Sequence, residues 1–138
     1  MGKEEYKGIW VYAEQERGTL SPTTFELLAK ALDLKTKLGG TDTVTAVLLG
    51  ENVASLADPL FAYGAEEVVL CESPALAAYS ARPYAAALTE LCRRRKPSIF
   101  LLPASALGRD VAPRVMCELR TGLTADAIVD EVLKTVRR

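Results

Sequence analysis

Between an apolar run that closes at Leu102 and a helical pattern that opens near Asp110 lies the segment Pro103-Ala104-Ser105-Ala106-Leu107-Gly108-Arg109-Asp110. Gly108 would let a ligand approach the backbone and Arg109 offers a forked guanidinium. The unpaired amides of a helix start would complete a seat for an anionic group. The same residues also make an ordinary helix entry, with Asp110 as N-cap, Pro113 tolerated in the first turn, and Arg114 paired with Asp110 at i,i+4. The residues leave both readings open, the capping one being the simpler. Ser105 adds a hydroxyl at the same place, but without a base beside it that hydroxyl is not an activated nucleophile. Imidazole cannot supply the base, because the 138 residues include no histidine. That removes a Ser-His-Asp or Cys-His catalyst within the chain, and with it the commonest metal ligand.

Other reactive groups are sparse. Three cysteines, Cys71, Cys92 and Cys117, are widely spaced and form no CxxC pair. Neither a disulfide framework nor a zinc site is expected, and the thiols read as reduced, mostly buried hydrophobes. Glu4-Glu5, Glu66-Glu67 and Asp130-Glu131 are sequence neighbours whose side chains point apart on a strand or helix, so they make poor acid–base pairs. Arg93-Arg94-Arg95-Lys96 fits either a phosphate or partner patch or the cationic last turn that complements a helix dipole; the second is the simpler reading. Trp10, Tyr12 and Phe25 could frame a flat ligand, yet aromatics on a first strand are expected in the core. The turn Glu14 to Thr19 carries two carboxylates and one glycine, which does not suit a pyrophosphate, and there is no P-loop. No catalytic residue and no metal site is assigned.

The elements that must position these groups follow from periodicity. Ile9 to Ala13 reads as a strand and Glu14 to Gly18 as a polar loop. Ser21-Pro22 caps a helix whose Phe25, Leu27, Leu28, Ala31, Leu32, Leu34 and Leu38 recur at helical spacing, and Gly39-Gly40 stops it. Strands at Val44 to Leu49, Val68 to Cys71 and Ile99 to Leu102 then alternate with helices at Val53 to Phe61, Ala81 to Arg95 and Asp110 to Leu119. Strand-like residues return from Leu123 to Val136. Short, solidly apolar strands between helices predict an α/β fold, an open doubly wound and mostly parallel sheet of about five strands with helices on both faces. This is a Rossmann-like, adenine nucleotide alpha hydrolase-like architecture. In such sheets ligands bind at the carboxyl edge, which is where Gly108, Arg109 and Asp110 are expected.

Length and composition agree with a single soluble domain spanning residues 1–138, 49% hydrophobic and 25% charged. Seventeen basic against 18 acidic residues give a formal charge of −1, so no nucleic-acid partner is expected. No segment reaches the roughly 18 apolar residues of a membrane span, and the charged start is unlike a signal peptide. A cytoplasmic protein is expected.

The run Gly108-Arg109-Asp110-Val111-Ala112-Pro113-Arg114-Val115, followed by Thr121-Gly122-Leu123-Thr124-Ala125-Asp126, closely resembles the electron transfer flavoprotein alpha subunit in its N-terminal domain. The pattern GRDxAPRV then TGLTAD is specific, and the order of elements from Ile9 onward resembles that family along essentially the whole chain. The resemblance implies a heterodimer with a beta subunit that takes electrons from dehydrogenases and passes them on through FAD. It implies an electron carrier component, not an enzyme. It places the flavin mainly on a C-terminal domain beyond the matched region. The chain stops at Thr135-Val136-Arg137-Arg138, before the family's RPxxGGN-like continuation, so FAD is expected in the full-length complex and not on this chain alone. An isolated first domain or a split product is the expectation, with Ala127 to Val136 as an exposed edge strand of a parallel sheet. Gly108, Arg109, Asp110 and Thr124 are implied to face the beta subunit or the cofactor-bearing domain.

Two other functions compete. A small adenine-nucleotide-binding module of universal-stress type shares this kind of sheet but should show a glycine-rich phosphate turn late in the chain, which Gly108 and Gly122 alone do not make. An enzyme acting on a small substrate would need an activated nucleophile or an acid–base pair, and none is found.

Overall fold

Ile9–Tyr12 is a four-residue strand, β1, whose side chains are buried without exception. A strand tolerates that only when both faces of its sheet are covered. The computed structural model describes residues 7–78, 80–103 and 133–137, the last five and Ala81 through their backbone. After β1 come β2 (Gln15–Glu16), β3 (Thr19–Leu20), α1 (Pro22–Lys37), β4 (Val44–Gly50), α2 (Ala57–Ala62), β5 (Glu67–Glu72), α3 (Ala81–Arg95), β6 (Ile99–Leu101) and β7 (Leu133–Arg137). Short 3-10 turns at Ala54–Leu56 and Pro74–Leu76 lead toward α2 and α3.

The main sheet has the order β6-β1-β4-β5-β7. The pairs β6/β1, β1/β4 and β4/β5 are parallel, with Val11 opposite Ala46 and Leu101, and Ala46 opposite Val68. The α/β, mostly parallel expectation is thus met. The closing strand differs from expectation, because β7 runs antiparallel to β5, with Leu133 opposite Cys71 and Arg137 opposite Glu67. An alternating apolar pattern carries no information about strand direction, which is set by where the chain enters the sheet.

Period-two alternation sorts the core into two layers. Ile9, Val11, Val44, Ala46, Leu48, Val68 and Leu70 pack with Leu28 and Ala31 of α1 and Leu60 and Phe61 of α2. Trp10, Tyr12, Val47, Leu49, Val69 and Cys71 pack with Tyr84, Leu88 and Leu91 of α3. The chain steps from β1 to β4 to β5 over one face, then returns over the other face to β6 on the far side of β1. That reversal puts a topological switch at β1 and β6, whose carboxyl ends lie side by side.

Local sequence explains the helix ends. Ser21 is the N-cap of α1, its Oγ accepting from the Thr23 amide at 3.4 Å, with Pro22 in the first turn. The helix closes at Leu38, and Gly39 and Gly40 follow at φ +107° and +79°. Leu38 was expected on the apolar stripe. It is instead 52% exposed, because as the C-cap it has already turned out of the helix. Lys96 caps α3 in the left-handed conformation, and Pro97 prevents continuation.

Among the described residues one core side-chain atom is unsatisfied. Thr89 is fully buried on α3 and its Oγ1 has no hydrogen-bond partner. Replacing it with the near-isosteric valine removes a desolvated hydroxyl that gains nothing. Thr89→Val should therefore raise unfolding stability by about 1 kcal/mol, read as a higher urea midpoint. A lower midpoint would mean that the hydroxyl bonds a buried water.

Candidate functional site

Gly108, Arg109, Asp110 and Thr124, together with Ser105, Cys117 and the Asp110 to Leu119 helix, lie outside the described residues. The strand that leads to them is described: β6 ends at Leu101 beside Val11 of β1, and the buried Pro103 follows at the carboxyl edge of the sheet. At that same edge opens a cleft of about 940 Å³. On one side it is lined by Glu14 to Arg17, Leu20, Ser21 and Pro22, on the other by Ala77, Ala78 and Tyr84.

The chain after β1 builds the first wall, and here the expected polar loop is corrected. Residues 15–20 form a β-hairpin, with Gln15 paired to Leu20 and Glu16 to Thr19. Its two turn residues, Arg17 and Gly18, have φ of +52° and +81°. Positive φ at both central positions is the requirement of the two-residue hairpin turn whose twist matches its strands. The residue pair Arg17-Gly18 between short extended dipeptides was a readable signal, but a weak one, because asparagine or glycine is the usual first residue. Gln15 holds the hairpin against the sheet. Its Oε1 accepts from the Gly18 amide at 3.0 Å and its Nε2 donates to the Leu49 carbonyl at 3.1 Å. The Ser21 amide closes the base by donating to the Glu14 carbonyl at 2.9 Å.

This arrangement is not a phosphate cradle. A dinucleotide fold presents free turn amides here, whereas the Gly18 amide is already taken by Gln15. The phenol described on the other wall is engaged: Tyr84 donates its hydroxyl to the Leu76 carbonyl at 2.7 Å, and burial, then the nearby Cys71, holds its proton on above the ordinary tyrosine range. Neither described thiol is a nucleophile. Burial pushes Cys71 up to about 11 and Cys92 up to about 12, so both stay protonated at neutral pH.

Of the charged residues singled out by sequence, Glu4, Glu5, Asp130 and Glu131 lie outside the described residues, while Glu66, Glu67, Arg94 and Arg95 resolve into structural pairs. Glu66 and Glu67 point apart as expected. Glu66 accepts from Lys35 at 2.7 Å and from the Val44 amide at 3.0 Å. The Lys35 hydrogen bond holds its carboxyl below the ordinary range, against the opposing pull of burial. Glu67 turns to the other face, its side chain 4% exposed, where Thr45 and the Arg95 guanidinium both donate to Oε1. Within the basic run, Arg94 pairs with Glu90 at 2.9 Å. The dipole reading therefore understated Arg95, which bolts the end of α3 to the start of β5. Its signal was absent from the sequence because the two residues are 28 apart and meet only when helix and sheet pack. Trp10 and Tyr12 lie in the core as expected, Trp10 edge-on to Phe100 at 5.6 Å, while Phe25 packs on Tyr63 at 4.3 Å.

Among the described residues no three acidic, cysteine or histidine groups converge on a metal site, and no helix is long and apolar enough to cross a membrane.

The sequence matches a family model described as the electron transfer flavoprotein domain, over residues 9–138. It is 42% identical over 126 residues to the electron transfer flavoprotein subunit alpha of Clostridium acetobutylicum, covering 91% of this chain and 37% of that protein. It is 42% identical over 139 residues to the subunit alpha of Megasphaera elsdenii, covering 99% of this chain and 40% of the relative. It is also 40% identical over 130 residues to the lactate dehydrogenase (NAD(+),ferredoxin) subunit LctC of Acetobacterium woodii, covering 94% of this chain and 31% of that protein. The chain thus spans about two-fifths of the length of the alpha subunits it matches. With a sheet of the expected α/β class and a match from Ile9 to the last residue, the chain belongs to the electron transfer flavoprotein domain family.

Proposed function

We propose that this chain is the scaffold and interaction domain of an electron transfer flavoprotein alpha subunit, working in a heterodimer with a beta subunit that carries electrons from dehydrogenases through FAD. The observation that carries this reading is 42% identity to an alpha subunit along 99% of the chain. On this reading residues 1–138 are one domain of a cytoplasmic carrier without catalytic groups of its own. Gly108, Arg109, Asp110 and Thr124 then face the beta subunit or the flavin-bearing part of the complex.

The described residues do not fit the flavin dinucleotide. At the first strand-to-helix turn, where a pyrophosphate would sit, the hairpin offers a single guanidinium flanked by Glu14 and Glu16, and its glycine amide is engaged by Gln15. This supports placing the flavin on other parts of the complex, with the present chain supplying a rigid surface.

The cleft's volume lies in the range of small-molecule sites, which favours a second reading, an adenine-nucleotide module. Calorimetric titration of the purified chain with FAD, AMP and ATP separates the two. No heat with any of the three, and a colourless protein after gel filtration with FAD, is the expected result. Stoichiometric yellow protein would place a flavin seat in this chain, and saturable heat with AMP or ATP would transfer the cleft to the nucleotide reading.

A further inference from the structure

Trp10, Thr45 and Glu67 stand in register across β1, β4 and β5, on the face of the sheet that α3 covers. They lie at the amino edge, opposite the cleft described above, and a second pocket of about 340 Å³ opens beside them. That volume is at the small end of ligand sites. The end of α3 bounds the pocket through Arg95, and the segments entering β1 and β4 bound it through Lys7, Gly8 and Asp42. Glu67 and Arg95 pair with each other, so between them they bring no net charge.

Three groups of the wall lack a counterpart. Trp10 is 2% exposed, and an indole N–H so deeply placed ordinarily has an acceptor. Among the described residues its Nε1–H has none, yet it is not sealed in the core as Thr89 Oγ1 is. It lies at the pocket wall: a Cβ added to Gly8 would stand 4.0 Å from Nε1, and Gly8, at φ +99°, keeps that side clear. Asp42 Oδ1 accepts from the Gly8 amide at 3.0 Å, while among the described residues Oδ2 has no donor. Lys7 makes no ion pair among them, with Asp42 or with any other. An unmatched cation, an unmatched carboxylate and a buried donor thus share one small pocket without meeting each other. A simple anion would gain the indole and Lys7 but face Asp42, and a simple cation would meet the converse. A small zwitterion satisfies all three, its carboxylate accepting from Trp10 Nε1 and Lys7 and its ammonium donating to Asp42. We propose that this pocket binds a small zwitterion of the α-amino acid class.

Trp10 is the one tryptophan of the chain, so its indole N–H gives a single NMR signal at the site itself. The isotope-labelled chain is titrated with glycine, L-alanine, L-serine and L-glutamate, and with acetate and ethylamine as probes carrying one charge each. The expected result is a saturable shift of the indole signal by at least one amino acid with a Kd below about 1 mM, and binding about tenfold or more weaker for acetate and ethylamine. Asp42→Asn keeps the Oδ1 acceptor for the Gly8 amide and removes the anion, and Lys7→Gln removes an exposed cation. Each should weaken the amino acid by about tenfold or more with little change in melting temperature. No saturable shift with any of these amino acids up to about 10 mM would leave the pocket to solvent and overturn the proposal. Acetate or ethylamine binding as tightly as the amino acids, or both variants binding within about twofold of the parent, would overturn it as well.

Discussion

Trp10→Ala is expected to cost roughly 3–5 kcal/mol of unfolding stability, a large part of the margin of a domain of this size. Trp10 is 2% exposed in β1, the strand between β4 and β6, and it fills the layer under α3 with its ring edge-on to Phe100. No backbone movement can close that void without breaking two parallel ladders at once. Trp10→Phe keeps an aromatic partner for Phe100 and should lose about half as much. Urea unfolding checks both. A loss below about 1 kcal/mol for the alanine variant would take Trp10 out of the core and revive the reading in which it frames a flat ligand.

The second large effect belongs to Arg95. Truncating it to alanine withdraws the cation from Glu67, a carboxylate whose side chain is 4% exposed, and should cost about 3 kcal/mol. Arg95 is itself 29% exposed, so the pair is lopsided: losing the arginine hurts more than its own burial implies, because the penalty falls on its partner. The double variant Glu67→Leu with Arg95→Met, which removes both charges and keeps volume, should recover part of that loss. Urea midpoints of the parent, single and double variants test this. A single-variant cost below about 1 kcal/mol, or a double variant worse than Arg95→Ala, would show that the pair is not what fastens α3 to β5.

Both predictions concern residues that the sequence marked, but it disclosed the role of only one of them. Trp10 was legible as core because it stands in a short, solidly apolar run of β-branched and aromatic residues, and such a run is a local property. Arg95 was legible only as one of four cations at a helix end, since the helix dipole acts within a turn while its partner lies on a strand 28 residues away. The hairpin was missed for a related reason. Its turn depends on Gln15 reaching the Leu49 carbonyl, a contact spanning 34 residues that exists only once β1 and β4 are paired.

What the amino-acid order determined by itself was the cycle of strands and helices, the Ser21-Pro22 entry and the Gly39-Gly40 exit of α1, the two-faced burial of the sheet, and the family. All of these are written in patterns a few residues long, or, for the family, in the order of such patterns. Packing alone decided the antiparallel direction of β7, the outward turn of Leu38, the Glu67–Arg95 bolt and the hairpin turn at Arg17. Strand direction and charge pairing depend on which distant segments become neighbours. That is settled by burying the two apolar layers together, an energy that belongs to the whole sheet and to no short stretch of it.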